Sequence, residues 1–307
     1  SSRKAQIMEG VERKLHSLKL SEAEKKGVRL GKRSVSQLGA EKMQAVGKVM
    51  SDRPARVDAL VNTLGRIWAP FKGIECKDLG MNKFLFTFRE ITGRDKALNN
   101  GPWMFNKSLL VMEKLNPTKT LDEYEFRYIP IWVRVYDIPM GWMSRESGEE
   151  IGKEIGEVLD VDVDDCGMAM GEYMRIKVRL DIRKPLMRGI TIFEDDEGED
   201  EEHEEKEKDN IIEDVDEENE KKEKGREVIF KYEYLPDFCY ICGIIGHNDR
   251  TCPSKQKLGT NHEFGPWLKA VVWRKSPTDE DKSRGSQEKV GFCSNSSRGS
   301  KGSDAIS

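Results

Sequence analysis

Apolar residues recur along this chain with two periods, and the change from one to the other marks the elements. Val57, Leu60, Val61, Leu64, Ile67 and Trp68 fall three or four apart, the stripe of a helix lying on a core. Asp52-Arg53-Pro54 opens that helix with a proline near its first turn, and Pro70 ends it. Phe84, Phe86 and Phe88 alternate with other residues, which is strand spacing. Runs at 43–50, 71–79 and 109–112 also read as strands, and 92–100 as a helix stopped by Gly101-Pro102. The order is β-α-β-β-α-β, a ferredoxin-like split βαβ unit.

The pattern resumes after residue 128. A strand at 131–136, a helix at 144–157 with Ser144 as N-cap, and strands at 158–163 and 173–182 predict a second, smaller αβ unit. Further strands at 189–193 and 227–234 flank a polar stretch, which reads as an insertion in a hairpin loop. Closure entropy grows only logarithmically with loop length, so such an insertion costs little stability. Near the amino end, Met8, Val11, Leu15, Leu18 and Leu20 have roughly helical spacing, and Ser21 with Glu24 makes a capping box. The chain is therefore expected to be α+β. A helical arm and linker span 1–40, the first domain 41–115 and the second unit 128–193. The insertion spans 194–224, a returning strand 225–237, a Cys-rich module 238–254 and a polar tail 255–307.

Composition sharpens that picture. Charged residues make up 35% of the 307, which is polar for a folded chain, so the insertion and the tails are expected to be disordered. The net charge of −4 hides an asymmetry: residues 194–224 hold 19 Asp/Glu and 5 Lys, a net of −14, which leaves +10 on the rest. A basic body with one acidic tract suits a nucleic-acid binder whose tract competes with phosphate, docks a protein partner, or only solubilises. No apolar run approaches 18 residues and no signal-peptide pattern opens the chain, so no membrane partner is expected. Six cysteines, three of them scattered at 76, 166 and 293, do not make a disulfide framework. An intracellular, reducing compartment is expected, nucleus or cytoplasm.

The densest chemistry lies between residues 239 and 252. Cys239, Cys242, His247 and Cys252 have the spacing C-x2-C-x4-H-x4-C. Three thiolates and one imidazole satisfy a tetrahedral Zn2+ with no open position, so one structural zinc is expected. Gly243 and Gly246 fit as well, because so short a loop needs positive φ angles that glycine adopts without strain. The pattern looks like the retroviral-type zinc knuckle, which grips unpaired nucleotides. Tyr240, directly after the first ligand, is placed to stack on a base, or else to pack. Ile245 sits inside the same loop, and Arg250, Lys255 and Lys257 flank it where phosphates would pass, so these five are the candidate nucleic-acid contacts.

Five phrases keep a familiar order: Val46-Gly47-Lys48-Val49 with Asp52-Arg53-Pro54, Gly101-Pro102-Trp103-Met104-Phe105, Ile131-Trp132-Val133-Arg134-Val135, Leu235-Pro236-Asp237-Phe238-Cys239-Tyr240 and Phe264-Gly265-Pro266-Trp267-Leu268. Together they resemble the plant family that joins a domain of unknown function to a CCHC zinc knuckle. Its members look like relics of the nucleic-acid-binding part of non-LTR retrotransposons. The resemblance covers about residues 41 to 268. It implies an RRM-like first domain and zinc-dependent nucleic-acid binding, and no characterised activity beyond binding.

The remaining candidates favour plain structure. Phe84, Phe86 and Phe88 would make an RRM-like stacking surface, but two helices must cover one face of the sheet, and core is the better reading. Lys48, Arg53, Arg56, Arg66, Lys72 and Lys77 read as a scattered solvated surface rather than a groove. Asp160, Asp162 and Asp164 share the wet face of a strand, and with Asp165 they suggest Mg2+ only weakly. No Ser/His/Asp set, Cys/His set or phosphate loop is present, and His16, His203 and His262 show no partner. The expected function is non-catalytic, zinc-dependent binding of single-stranded nucleic acid, RNA ahead of DNA. The alternatives are a protein-interaction module with the knuckle as a staple, or the front end of a retroelement polyprotein.

Overall fold

The computed structural model describes residues 21–28, 42–193, 225–255 and 262–272. The chain divides into two compact units after residue 41. In the first, α1 (Glu22–Lys25) carries the expected capping box: the Ser21 amide donates to Glu24 Oε2 at 2.7 Å, and the Glu24 amide donates back to Ser21 Oγ at 3.4 Å. The acidic tract, Lys257 and most of both tails lie outside the described residues, as do His16, His203 and Cys293.

The second unit is α+β and opens with an antiparallel sheet. Strands β1 (Gln44–Val49), β2 (Ile74–Gly80), β3 (Lys83–Phe88), β4 (Trp103–Phe105) and β5 (Ser108–Lys114) lie in the order β2-β3-β1-β5-β4. Val57–Leu60, Val61–Gly65 and Arg66–Trp68 run on as one helix, α2, whose middle stretch is π-helical. Ile91–Asn99 is α3. The first four strands in RRM-like order are those the sequence predicts, and β4 is an addition. The wider π turn brings residues four apart into line. Leu60, Leu64 and Trp68 are buried and Ile67, expected in the stripe, faces solvent. Phe71 was expected in β2 but is exposed, because the chain turns at Gly73 (φ +70°) before the strand begins. Phe84, Phe86 and Phe88 all point to the helices, where Trp68 meets Phe86 edge-on at 5.4 Å. Trp103 completes that layer and donates its indole N–H to the Ala97 carbonyl at 2.8 Å.

The second sheet repeats the first. Strands β6 (Tyr128–Tyr136), β7 (Glu157–Val161), β8 (Tyr173–Asp181), β9 (Gly189–Ile192) and β10 (Arg226–Tyr232) lie in the order β7-β8-β6-β10-β9. Taking β6 for β1 and counting on, this is the same arrangement. Helix α4 (Arg145–Ile155), capped by Ser144 Oγ on the Ser147 amide at 3.3 Å, joins β6 to β7 as α2 joins β1 to β2. The helix sits very close: a Cβ on Gly148 would come within 2.7 Å of Val161 Cγ1. No second helix separates β8 from β9. Instead Leu186, Phe238, Ile245, Phe264 and Leu268 join the inward side chains of β6, β8 and β10 in one core. In sequence the acidic tract lies between β9 and β10, the counterparts of two strands that the first sheet joins through Asn106-Lys107.

Registers show how the two halves meet. Val46, Leu109 and Val111 point away from the helices of the first sheet, and all are buried in the core of the second. Residues 115–127 fold back there, with Tyr124 and Phe126 in that core. Lys83 Nζ is held at 3.3 Å by the Leu121 carbonyl and at 3.1 Å by Asp122 Oδ1.

Candidate metal centre and nucleic-acid interface

The returning strand β10 delivers the chain to the metal loop. Phe238 bridges Ile245 across the loop, the Cys239 amide donates to the Ile244 carbonyl at 3.0 Å, and the Gly243 amide donates to the Cys239 carbonyl at 2.8 Å. Gly243 and Gly246 take φ of +72° and +102°, left-handed values that let the loop reverse within a few residues. Asn248 Oδ1 then caps a short 3-10 turn, Asp249–Thr251, by accepting from the Arg250 and Thr251 amides at 3.0 and 3.3 Å. That turn presents Cys252 to the other three ligands.

One donor atom from each of Cys239, Cys242, His247 and Cys252 lies within 4.8 Å of the others, and Cys242 Sγ is 3.3 Å from His247 Nε2. A tetrahedral zinc with bonds of about 2.0–2.3 Å needs ligand atoms roughly 3.5–4 Å apart, so the set fits. Three of the four are buried. Burial pushes the Cys239 thiol up to about 12, and a thiol gives up its proton when it ligates a metal ion. All four positions are protein ligands, which makes the ion structural: it folds the loop and offers no site to a substrate. The four aspartates that weakly suggested magnesium do not gather. Asp162 pairs with Arg175 at 3.1 Å, and Asp164 Oδ1 accepts from the Cys166 and Met168 amides.

The five candidate contacts separate. Tyr240 is half-buried, its ring 5.1 Å from Phe238 and 6.3 Å from His262, and its amide donates to Asp249 Oδ1 at 2.7 Å. His262 has a partner that spacing could not reveal, since its Nε2 lies 3.4 Å from Asp249 Oδ2. Arg250 and Lys255 are exposed. Ile245 is 6% exposed and spends its side chain on the core beside Phe238. Tyr240, Ile245 and Arg250 all line a groove of about 620 Å³ between the metal loop and the first sheet, whose far wall is Met50, Met104, Lys107, Ser108 and Leu109. Lys107 enters this wall from the tight β4–β5 turn, and no sequence signal tied it to the knuckle.

Comparison with known proteins gives the same parts. Residues 39–123 match a model described as a domain of unknown function (DUF4283), and residues 221–254 match one described as a zinc knuckle. An uncharacterized protein of Arabidopsis thaliana is 24% identical over 160 residues. Those cover 52% of this chain and 42% of the relative, so the chain spans less than half of that protein. Among solved structures, the RNA-binding domain of Hrp1 in complex with RNA matches at 12% identity and a TM-score of 0.22, over 45% of this chain and 81% of that one. RNA recognition domains 1 and 2 of Sex-lethal from Drosophila melanogaster match at 12% identity and a TM-score of 0.21, over 45% and 85%. Among the described residues no helix is long and apolar enough to cross a membrane.

Proposed function

We propose that this chain is a non-catalytic, zinc-dependent binder of single-stranded nucleic acid, RNA ahead of DNA, and that it derives from a retroelement of a plant lineage. The groove between metal loop and first sheet carries the reading. Its lining gathers one aromatic ring, Tyr240, with two cations, Arg250 from the metal loop and Lys107 from the first sheet. Unpaired bases stack on such a ring while their phosphates meet the cations. The fully ligated metal supports a binding role over a catalytic one. The ordered phrases support the retroelement origin, and the Arabidopsis relative supports the plant lineage.

A second reading rests on a separate observation. Phe238 and Ile245 sink into the core of the second sheet, so the loop also works as a staple that a partner protein would use. Titrating the zinc-loaded chain into a fluorescent twelve-nucleotide RNA separates the two. Tyr240→Ala should weaken binding by about 1–3 kcal/mol with zinc retained. Unchanged affinity in that variant would leave the staple reading standing and remove the contact.

A further inference from the structure

The outer face of the second sheet is unlike the rest of the surface. Along β6 the outward positions are Trp132, Arg134 and Tyr136, and the cross-strand partners on β8 are Lys177, Arg175 and Tyr173. Lys231 on β10 stands beside Arg134. All seven are partly exposed. Aromatic rings and cations alternate along β6, at about 6.6 Å per pair of residues, and about 4.8 Å away β8 sets Lys177 across from Trp132, Arg175 across from Arg134 and Tyr173 across from Tyr136.

The arrangement is held from beneath. Glu233, almost wholly buried, accepts from Arg134 Nε at 2.7 Å and from Arg175 at 2.9 and 3.0 Å. Those guanidiniums lie over Tyr173 at 4.4 Å and over Trp132 at 3.9 Å. The two lysines are looser. Lys231 rests over Tyr136 at 4.4 Å and Lys177 over Trp132 at 5.4 Å, and neither has a carboxylate within ion-pair distance among the described residues. An exposed contact of this kind is weaker than a stacked base, so an incoming base can displace a lysine from its ring and leave the ammonium for the phosphate.

From this we infer that the outer face of the second sheet is a second platform for single-stranded nucleic acid, with a base on Tyr136 and phosphates on Lys177 and Lys231. Strand order supports the choice of ligand. Strands β6 and β8 hold the central places that β1 and β3 hold in the first sheet, and RRM sheets stack bases on aromatics carried on such a face. The inference extends the nucleic-acid reading above to a surface separate from the groove at the metal loop.

The test uses the full zinc-loaded chain. A twelve-nucleotide RNA carrying 4-thiouridine is crosslinked and the modified peptides are mapped. In parallel, affinity is measured against salt for Lys177→Gln with Lys231→Gln, for Tyr136→Ala, and for Tyr240→Ala at the groove. Crosslinks in β6 and β8 are expected, together with a 5- to 150-fold loss in Tyr136→Ala, about the range for one stacked base. The lysine pair, which keeps every buried contact, should flatten the slope of log K against log salt by about 1.4. Crosslinks and losses confined to Tyr240 would overturn the platform and keep the groove. Effects confined to β6 and β8 would support the platform and overturn the groove. No binding by the parent would remove both. If a synthetic peptide of residues 194–224 crosslinks to this face while the lysine variant binds RNA like the parent, the occupant is the acidic tract and the inference is wrong.

Discussion

The two sheets share a strand order and differ in how they treat the face without helices. In the first sheet that face carries Val46, Leu85, Leu109 and Val111, with no aromatic, and residues 115–127 fold over much of it. Its phenylalanines at 84, 86 and 88 all serve the helix side. In the second sheet the aliphatic residues Ile129, Ile131, Val133 and Val135 take the inner face, and Trp132, Arg134 and Tyr136 the outer. One topology thus supports opposite uses, and the phase of a period-two pattern chooses between them. The inner cover differs as well. Two helices close the first sheet, whereas the second has one helix and borrows the metal loop for the rest.

That borrowed cover gives the largest expected effect. Structural zinc contributes on the order of 10–16 kcal/mol to isolated fingers, and here the metal loop carries Phe238 and Ile245 into the core. Chelation, or His247→Ala, should raise amide exchange in β10 and around Leu186, whose amide donates to the Gly243 carbonyl at 3.0 Å. Strands β1 to β3 should keep their protection. Equal loss in both sheets would mean that the metal supports the whole unit and that the contrast in cover is wrong.

Next comes the charged layer of the second sheet, which has no counterpart in the first. Burial alone would raise the Glu233 carboxyl, but hydrogen bonds from Arg175 and Arg134 outweigh it and hold it below its usual range. A depressed carboxylate contributes stability that is present above the unfolded value, about 4.3, and lost as pH falls through the folded one. Glu233→Gln leaves two guanidiniums without their counter-charge and should cost about 3 kcal/mol at pH 7. The gap between parent and variant in urea unfolding should narrow below about pH 4. A gap that stayed constant with pH would place the loss in packing rather than charge.

These two regions also show what the sequence could reveal. The metal site was legible in full, because its four ligands fall within fourteen residues and the glycines confirm the turn. The first domain was legible through its stripes, apart from Ile67 and Phe71, displaced by a π turn and a left-handed glycine. The repetition of strand order was not. It depends on β10 finding β6 across ninety or so positions of chain, and local alternation is silent about pairing. For the same reason the burial of Ile245 beside Phe238 in the core of the second sheet was not legible.

A smaller effect tests how tightly the single helix grips the second sheet. Gly148→Ala puts a methyl 2.7 Å from Val161 Cγ1 and 3.0 Å from Met174 Sδ. Overpacking of that kind costs about 1–3 kcal/mol. Gly141, with nothing within 4 Å of an added Cβ, serves as the control, and Gly141→Ala should stay within about 0.5 kcal/mol of the parent. Thermal melts that ranked the two alike would show that α4 can ride away from the sheet.

The smallest effect is expected on the first sheet, where an RRM would carry its ligand. Leu85 is half-buried on the face without helices, between Val46 on one side and Lys77 on the other. It offers a base no π surface, and its neighbours Thr87 and Gln44 offer none either. Leu85→Ala should therefore cost some stability through lost burial, about 1–2 kcal/mol for a partly exposed side chain. It should change RNA affinity by less than about twofold, well under the range for losing a stacked base. The reciprocal change, Leu85→Tyr, adds a ring at a central position and should tighten binding only if residues 115–127 leave that face open. A tenfold loss in Leu85→Ala with melting nearly unchanged would return the nucleic-acid contact to the first sheet and erase the contrast between the two.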